Sequence, residues 1–205
     1  MTTFVTPMTQ LDAVNIVLKG MGEPKIASLD GAGLDALMAA DLVDETSRAL
    51  QTEGWHWNRE YPKISPDSNG FINLPSNTLT VNTNGESAQY DYVARGLLLY
   101  DRSNSTYVFT NPVRLDLYVG LPFEQLPTSA RIFVAAAAAL TNQQGELGSD
   151  TLNKFLKEKA ETARVMLVRD NYKATKPNAI RDNWSVLATT QRTFFNRGLF
   201  QSGGY

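Results

Sequence analysis

Val113-Arg114-Leu115-Asp116-Leu117-Tyr118-Val119 alternates apolar side chains with Arg114, Asp116 and Tyr118 over seven residues. This is the two-residue period of a strand with one buried face. The same period is shorter but legible upstream, in candidate strands at 71–74, 79–81, 90–93, 97–100 and 107–110. Turn clusters at Asp67-Ser68-Asn69-Gly70, Asn82-Thr83-Asn84-Gly85 and Asp101-Arg102-Ser103-Asn104 separate them, supplying residues that adopt tight-turn geometry cheaply. A small antiparallel sheet of about six short strands is therefore expected over residues 61–120.

On both sides the period changes. Upstream, Leu11, Val14, Leu18 and Met21 recur at helical spacing, as do Leu34, Leu37/Met38, Leu42, Thr46 and Leu50. Two antiparallel helices follow, the first broken by Gly20, Gly22 and Pro24, the second beginning after Asp30-Gly31-Ala32-Gly33 and ending at Gly54. Downstream, Pro127 suits a first helical turn, and the alanine run Ala135 to Ala139 permits close backbone approach. Ser149 is placed as the N-cap of a last helix with an inward stripe of Leu152, Leu156, Ala160, Ala163 and Leu167, leaving Lys154, Lys157, Glu158, Glu161 and Arg164 outside. The expected class is α+β. An antiparallel bundle of two helical hairpins (1–60 and 121–177) carries an inserted antiparallel β-domain (61–120). An extended tail (178–205), too sparse in apolar residues for its own core, should order on a partner.

Composition excludes much chemistry. The chain has 205 residues, no cysteine and a single histidine, His56, so thiol nucleophiles, disulfides and two-histidine metal sites are ruled out. No apolar run approaches the roughly 20 residues of a membrane helix, and the N-terminus lacks the charged-then-apolar pattern of a signal peptide. A soluble, unprocessed product with no membrane partner and no cofactor is expected. The net charge of −2 hides a gradient: residues 1–60 carry nine acids and four bases, 61–126 six and four, and 127–205 six and eleven. An acidic front and a basic back suit contact between copies better than gripping a duplex.

Each candidate site has a plainer rival. The Gly31-Ala32-Gly33-Leu34-Asp35-Ala36 letters match a dinucleotide fingerprint without the strand and crossover it requires, so a helix start is read there. Asp41, Asp44 and Glu45 share a helical face that Arg48 can neutralise. His56 has no nucleophile or acid tied to it by spacing, and packing is the simpler role. Trp55 and Trp57 suit a sugar platform, but at a helix-to-sheet boundary they read as a plug between layers, with Gly54 and Pro24 as junction residues. Arg192, Phe194, Phe195, Arg197 and Phe200 combine cations with aromatics, which suits a protein groove or a single strand of nucleic acid.

Two motifs bring a family into view. Ala13-Val14-Asn15-Ile16-Val17-Leu18 followed by Met21-Gly22-Glu23-Pro24-Lys25-Ile26-Ala27-Ser28-Leu29, and Gln51-Thr52-Glu53-Gly54-Trp55-His56-Trp57-Asn58, resemble the opening helix with its Gly-Glu-Pro turn and the Gln-x-x-Gly-Trp-x-x-Asn helix end of the tail tubular protein A family, the head-to-tail adaptors of short-tailed podoviruses. Leu99-Tyr100-Asp101-Arg102 and Leu121-Pro122-Phe123-Glu124-Gln125-Leu126-Pro127 through Ala130-Arg131 are in the same style, so the likeness spans about residues 8–170. The resemblance implies a virion tail component with no catalytic motif. It would be a homo-oligomeric ring, a dodecamer, between portal protein and tail nozzle, with DNA passing through the lumen unbound, assembled in the host cytoplasm. By that likeness the helical hairpins and the tail dock on the portal and the sheet faces the nozzle. Two other readings stay open: a tail-associated polysaccharide hydrolase, from the tryptophans and carboxylates, and a single-strand nucleic-acid binder, from the cationic tail.

Overall fold

The computed structural model describes residues 6–146 and 150–175. Helix α1 (Gln10–Met21) starts at a capping box. The Thr9 hydroxyl accepts the Asp12 N–H while the Asp12 carboxylate accepts the Thr9 N–H at 2.9 Å, satisfying two of the donors a helix start leaves open. It stops at Gly22, whose φ of 84° is a left-handed cap. Helix α2 (Leu34–Gln51) begins after Gly33, so the Gly31 to Ala36 letters do form a helix start. Helix α3 (Thr128–Glu146) accepts its first turn on the Pro127 carbonyl, which takes the Arg131 N–H at 3.0 Å. Pro127 thus stands one place before the first helical residue. Helix α4 (Asp150–Thr175) follows. The Ser149 cap and the 178–205 segment lie outside the described residues.

The helices share one core, with α2 and α3 each packed on α1 and on each other, and α4 laid along α3. Alanines set the spacing. Ala136 of α3 packs with Ala160 and Ala163 of α4, and Ala135, Ala138 and Ala139 face the main core. The inward stripe of α4 is as read from the sequence at Leu156, Ala160, Ala163 and Leu167, while the side chain of Leu152 lies outside what is described. That of α2 is so only in part. Its buried residues are Ala36, Ala39, Val43, Ser47, Leu50 and Gln51, whereas Leu34, Leu37 and Met38 face solvent. Small residues let the start of this helix approach closely, with Leu34, Leu37 and Met38 turned outward, while Leu42 and Leu50 face the core as read.

The sheet is organised around β6 (Val113–Val119), whose apolar face is buried as its alternation requires. Strand β3 (Thr78–Thr83) pairs antiparallel along one edge, with Thr80 opposite Tyr118 and Thr83 opposite Leu115, after an irregularity between Thr78 and Thr80. Two short strands, β1 (Arg59–Glu60) and β2 (Lys63–Ile64), follow one another along β6, Arg59 opposite Tyr118 and Lys63 opposite Arg114. Pro62, which has no N–H, separates them but accepts the Leu115 N–H at 3.0 Å. Strands β4 (Tyr92–Arg95) and β5 (Leu98–Asp101) form a separate ribbon. The expected single sheet of six strands is therefore a four-stranded sheet plus a hairpin. Segment 71–74 meets β5 only through an Asn73–Leu98 bridge, and 107–110 forms no strand, touching Gly70 through the Phe109 N–H. Both still bury apolar side chains, Ile72, Leu74 and Phe109, against β6. Leu121 packs on both the helical and the sheet clusters.

Candidate functional site: the helix-to-sheet junction

The motif Gln51 to Asn58 is the covalent link between α2 and the sheet, and its side-chain amides tie it together. Gln51 treats Leu121 as a strand partner: its Oε1 accepts the Leu121 N–H at 2.7 Å and its Nε2 donates to the Leu121 carbonyl at 3.0 Å. Asn58, fully buried, accepts the Trp55 N–H at 2.8 Å and donates to the Gln51 carbonyl at 2.7 Å and the Val119 carbonyl at 3.1 Å. Two amides thus satisfy buried backbone groups that no regular element reaches. Asn15 uses the same device at the Gly-Glu-Pro turn, bonding both the N–H and the carbonyl of Ile26.

Gly54 turns the chain at φ 75°, and a Cβ there would fall 2.3 Å from the Tyr118 ring. Tyr118 is also met by Arg59, whose guanidinium lies 5.5 Å from the ring centre and grips both oxygens of the buried Asp116. Arg59 and Asp116 are diagonal neighbours across β1 and β6, a pairing that fixes register. From the helical side, Arg164 of α4 grips both Glu53 carboxylate oxygens and spreads over Trp55 at 4.9 Å and Phe133 at 5.3 Å. His56 and Asn171 add a second tie. The Asn171 Oδ1 accepts the His56 backbone N–H at 3.0 Å and lies 2.6 Å from Nδ1, which must carry a proton to donate to a carbonyl oxygen. The tail end of α4 is therefore fastened to the junction at two points.

Of the residues singled out in the sequence, Gly54, Trp55 and Trp57 are brought together here. Trp55 is buried in the helical core with its Nε1–H on the Leu50 carbonyl, and Trp57 is half-buried against the same core. Neither offers a flat exposed platform for a sugar. His56 is exposed, not packed, and works through Asn171. Pro24 sits apart, exposed beyond the α1 cap. Asp41, Asp44 and Glu45 are exposed, but among the described residues Arg48 forms no ion pair with them. Asp44 instead accepts from the Gln10 amide at 2.7 Å, and partial desolvation by its neighbours raises its carboxyl above the ordinary range. Arg192, Phe194, Phe195, Arg197 and Phe200 lie outside the described residues. The ties made by Gln51, Asn58, Arg164 and Asn171 have no hydropathy signal; only the recurrence of Gln and Asn around Gly54 in the motif marks the first two.

A hollow of about 480 Å³ in the sheet region, lined by Tyr90, Tyr92 and Phe109, carries one carboxylate, Asp101, which is buried and held by Asn104. Glycoside hydrolysis of the usual kind works with two. Among the described residues, no group of three His, Asp or Glu side chains is placed to hold a metal ion, and no helix is long and apolar enough to cross a membrane.

What these ties define is a scaffold whose fixed geometry is built from backbone-mimicking amides and aromatic stacking. Residues 11–177 match the model of the tail tubular protein family, and the chain belongs to that family. It is 29 % identical over 164 residues to tail tubular protein A of Klebsiella phage KP34, a match covering 80 % of this chain and 87 % of the relative. It is therefore a structural component of a phage virion tail, made to assemble with other virion proteins.

Proposed function

We propose that this chain is the head-to-tail adaptor of its virion: copies join into a ring of twelve between the portal protein and the tail nozzle, around the channel through which DNA leaves. The observation that carries the reading is the match of the family motif to the junction. Gln51, Gly54 and Asn58 hold the sheet at a fixed attitude to the helices, as a ring subunit with a different neighbour at each end requires. In this reading the helical hairpins (1–60 and 121–177) and the 178–205 segment face the portal, and the 61–120 sheet faces the nozzle. Arg192, Phe194, Phe195, Arg197 and Phe200 are the docking anchors, since Arg and aromatic side chains are the usual hot spots of protein interfaces. Subunits assemble in the host cytoplasm, and DNA crosses the lumen without specific binding, consistent with the net charge of −2.

Capture of the chain on immobilised portal protein tests this. The full chain is expected to be retained, and a chain lacking 178–205 to stay folded and soluble while its retention falls at least tenfold. Equal retention of both would remove the docking role from the C-terminal segment; no retention of either would contradict the adaptor.

A further inference from the structure

The outward-turned apolar residues of α2 form a line. Leu34, Met38, Asp41 and Glu45 are spaced at four, three and four residues, with Leu37 and Arg48 on its border. Leu34 is 71 % and Met38 50 % exposed, more apolar surface than a helix with its core face already packed has reason to show. This ridge is apolar at one end and acidic at the other.

A groove of opposite charge lies elsewhere on the bundle. Between α1, the Lys25-Ile26 turn and α4 is a hollow of about 540 Å³, floored by Ile16, Ile26 and Leu156 and rimmed by Lys19, Lys25 and Lys159. Phe155, 63 % exposed, and Lys159 join it to a second hollow of about 430 Å³ along α4, which adds Ile132, Thr162 and Met166. The rim holds two carboxylates: Asp12, already engaged by the Thr9 cap, and Glu158. Among the described residues none of the three lysines is ion-paired.

The groove lies on the side of α1 turned away from α2. On α1, Gln10 donates to Asp44 of α2 and Lys19 rims the groove. Nine residues at 3.6 per turn place them half a turn apart on α1, so α2, which packs on the Gln10 side, does not reach the groove of its own chain. The C-terminal segment 176–205, with four bases and one acid, carries the same sign as the rim. A nucleic-acid backbone would meet the lysines but leave the apolar floor uncovered. We infer that the groove between α1 and α4 receives the α2 ridge of a second copy, Leu34 and Met38 on the apolar floor and Asp41 and Glu45 against the lysines. Such a contact is heterologous, using different patches on the two partners, and it repeats from copy to copy. It rests on the adaptor reading for its biological setting, and on surface complementarity for its chemistry.

The absence of cysteine allows a direct trap. Leu37→Cys on the ridge border and Thr162→Cys in the groove are exposed positions, treated with a short bismaleimide. Each variant alone is expected to stay monomeric, an equimolar mixture to give mixed dimers, and the double variant to give a ladder. Lys19→Glu with Lys159→Glu in the Thr162→Cys chain should cut the dimer yield at least tenfold, and Asp41→Lys with Glu45→Lys in the Leu37→Cys partner should restore it. Homodimers of either single variant, a mixture yield no higher than with Leu97→Cys on the sheet hairpin, or lysine reversal without effect would overturn the pairing. So would lysine reversal that abolishes retardation of a DNA duplex while leaving the dimer yield unchanged. Portal capture separates the two ideas: a chain that fails to cross-link yet binds portal loses the pairing alone, and one that does neither loses the adaptor reading as well.

Discussion

Gly54 and Tyr118 occupy one another's space: the place where residue 54 would carry a Cβ is 2.3 Å from the Tyr118 ring, and the backbone there has φ 75°. Two penalties therefore fall on any side chain at 54, one from the ring and one from the left-handed backbone, the second worth about 1–2 kcal/mol by itself. Gly54→Ala is expected to lose about 3 kcal/mol or more. In the double variant with Tyr118→Ala the loss should be smaller than the sum of the singles by at least about 1 kcal/mol, because only the overlap is relieved. Urea unfolding of the four proteins measures it, and additive losses would show that the ring moves aside freely.

Asn58 is the buried hub of the junction, and its removal leaves the Trp55 N–H without its acceptor and takes a donor from the Val119 and Gln51 carbonyls, the second of which keeps the Gly54 N–H at 3.3 Å. Asn58→Ala should cost about 3 kcal/mol, the size expected for orphaned buried polar groups and not for one lost surface bond. The same measurement on Asn104→Ala, whose side chain bonds the Asp101 carboxylate in a partly buried turn, should give a smaller loss.

Arg164 combines an ion pair with two aromatic contacts. Its side chain is about one-third exposed, so solvent screens the charge, and the coupling to Glu53 in a double-mutant cycle should be about 0.5–1 kcal/mol, falling as salt rises. Arg164→Ala should nevertheless exceed Glu53→Ala, since the stacking on Trp55 and Phe133 is lost too. The tryptophan fluorescence, to which Trp55 contributes, should shift to the red in Arg164→Ala and not in Glu53→Ala.

Three carboxylates contribute to the acid response, with two signs. Asp12 and Asp67 are held below the ordinary range, Asp12 by the Thr9 N–H and hydroxyl, Asp67 by the Phe71 and Asn69 N–H groups. A depressed pKa adds stability above the unfolded value, near 3.9, that is lost as pH falls through the folded one. Asp44 is raised by partial desolvation, so its charge weakens the fold at pH 7 and that penalty disappears on acidification. In thermal unfolding followed from pH 7 to pH 2, Asp12→Asn and Asp67→Asn should each flatten the loss below pH 4. Asp44→Asn should raise the melting temperature at pH 7, the gain vanishing at low pH.

The four helices and the long strand Val113–Val119 were readable because each repeats its period over many residues. The two-residue strands β1 and β2 were not, since a partner is chosen there by β6 and by Pro62, and no period can show in two residues. Segments 71–74 and 107–110 carry a strand's composition but meet their neighbours through single bridges and turns, burying side chains without a ladder. On α2 the hydrophobic period was present, but its first turns point outward while Leu42 and Leu50 face the core as read. Leu34, Leu37 and Met38 outweigh Ala36 and Ala39 on any hydropathy scale, while close packing favours the alanines. The junction was half legible: Gly54 and the tryptophans stand out by type, whereas Gln51 and Asn58 act through amide geometry that becomes visible only when Leu121 and Val119 are placed beside them.

The mass of the complex formed when this chain is added to purified portal protein, read by native mass spectrometry, tests the central claim most directly. The account predicts a single species heavier than the portal by twelve copies of the 22.7 kDa chain. A portal of unchanged mass beside free single chains would contradict it.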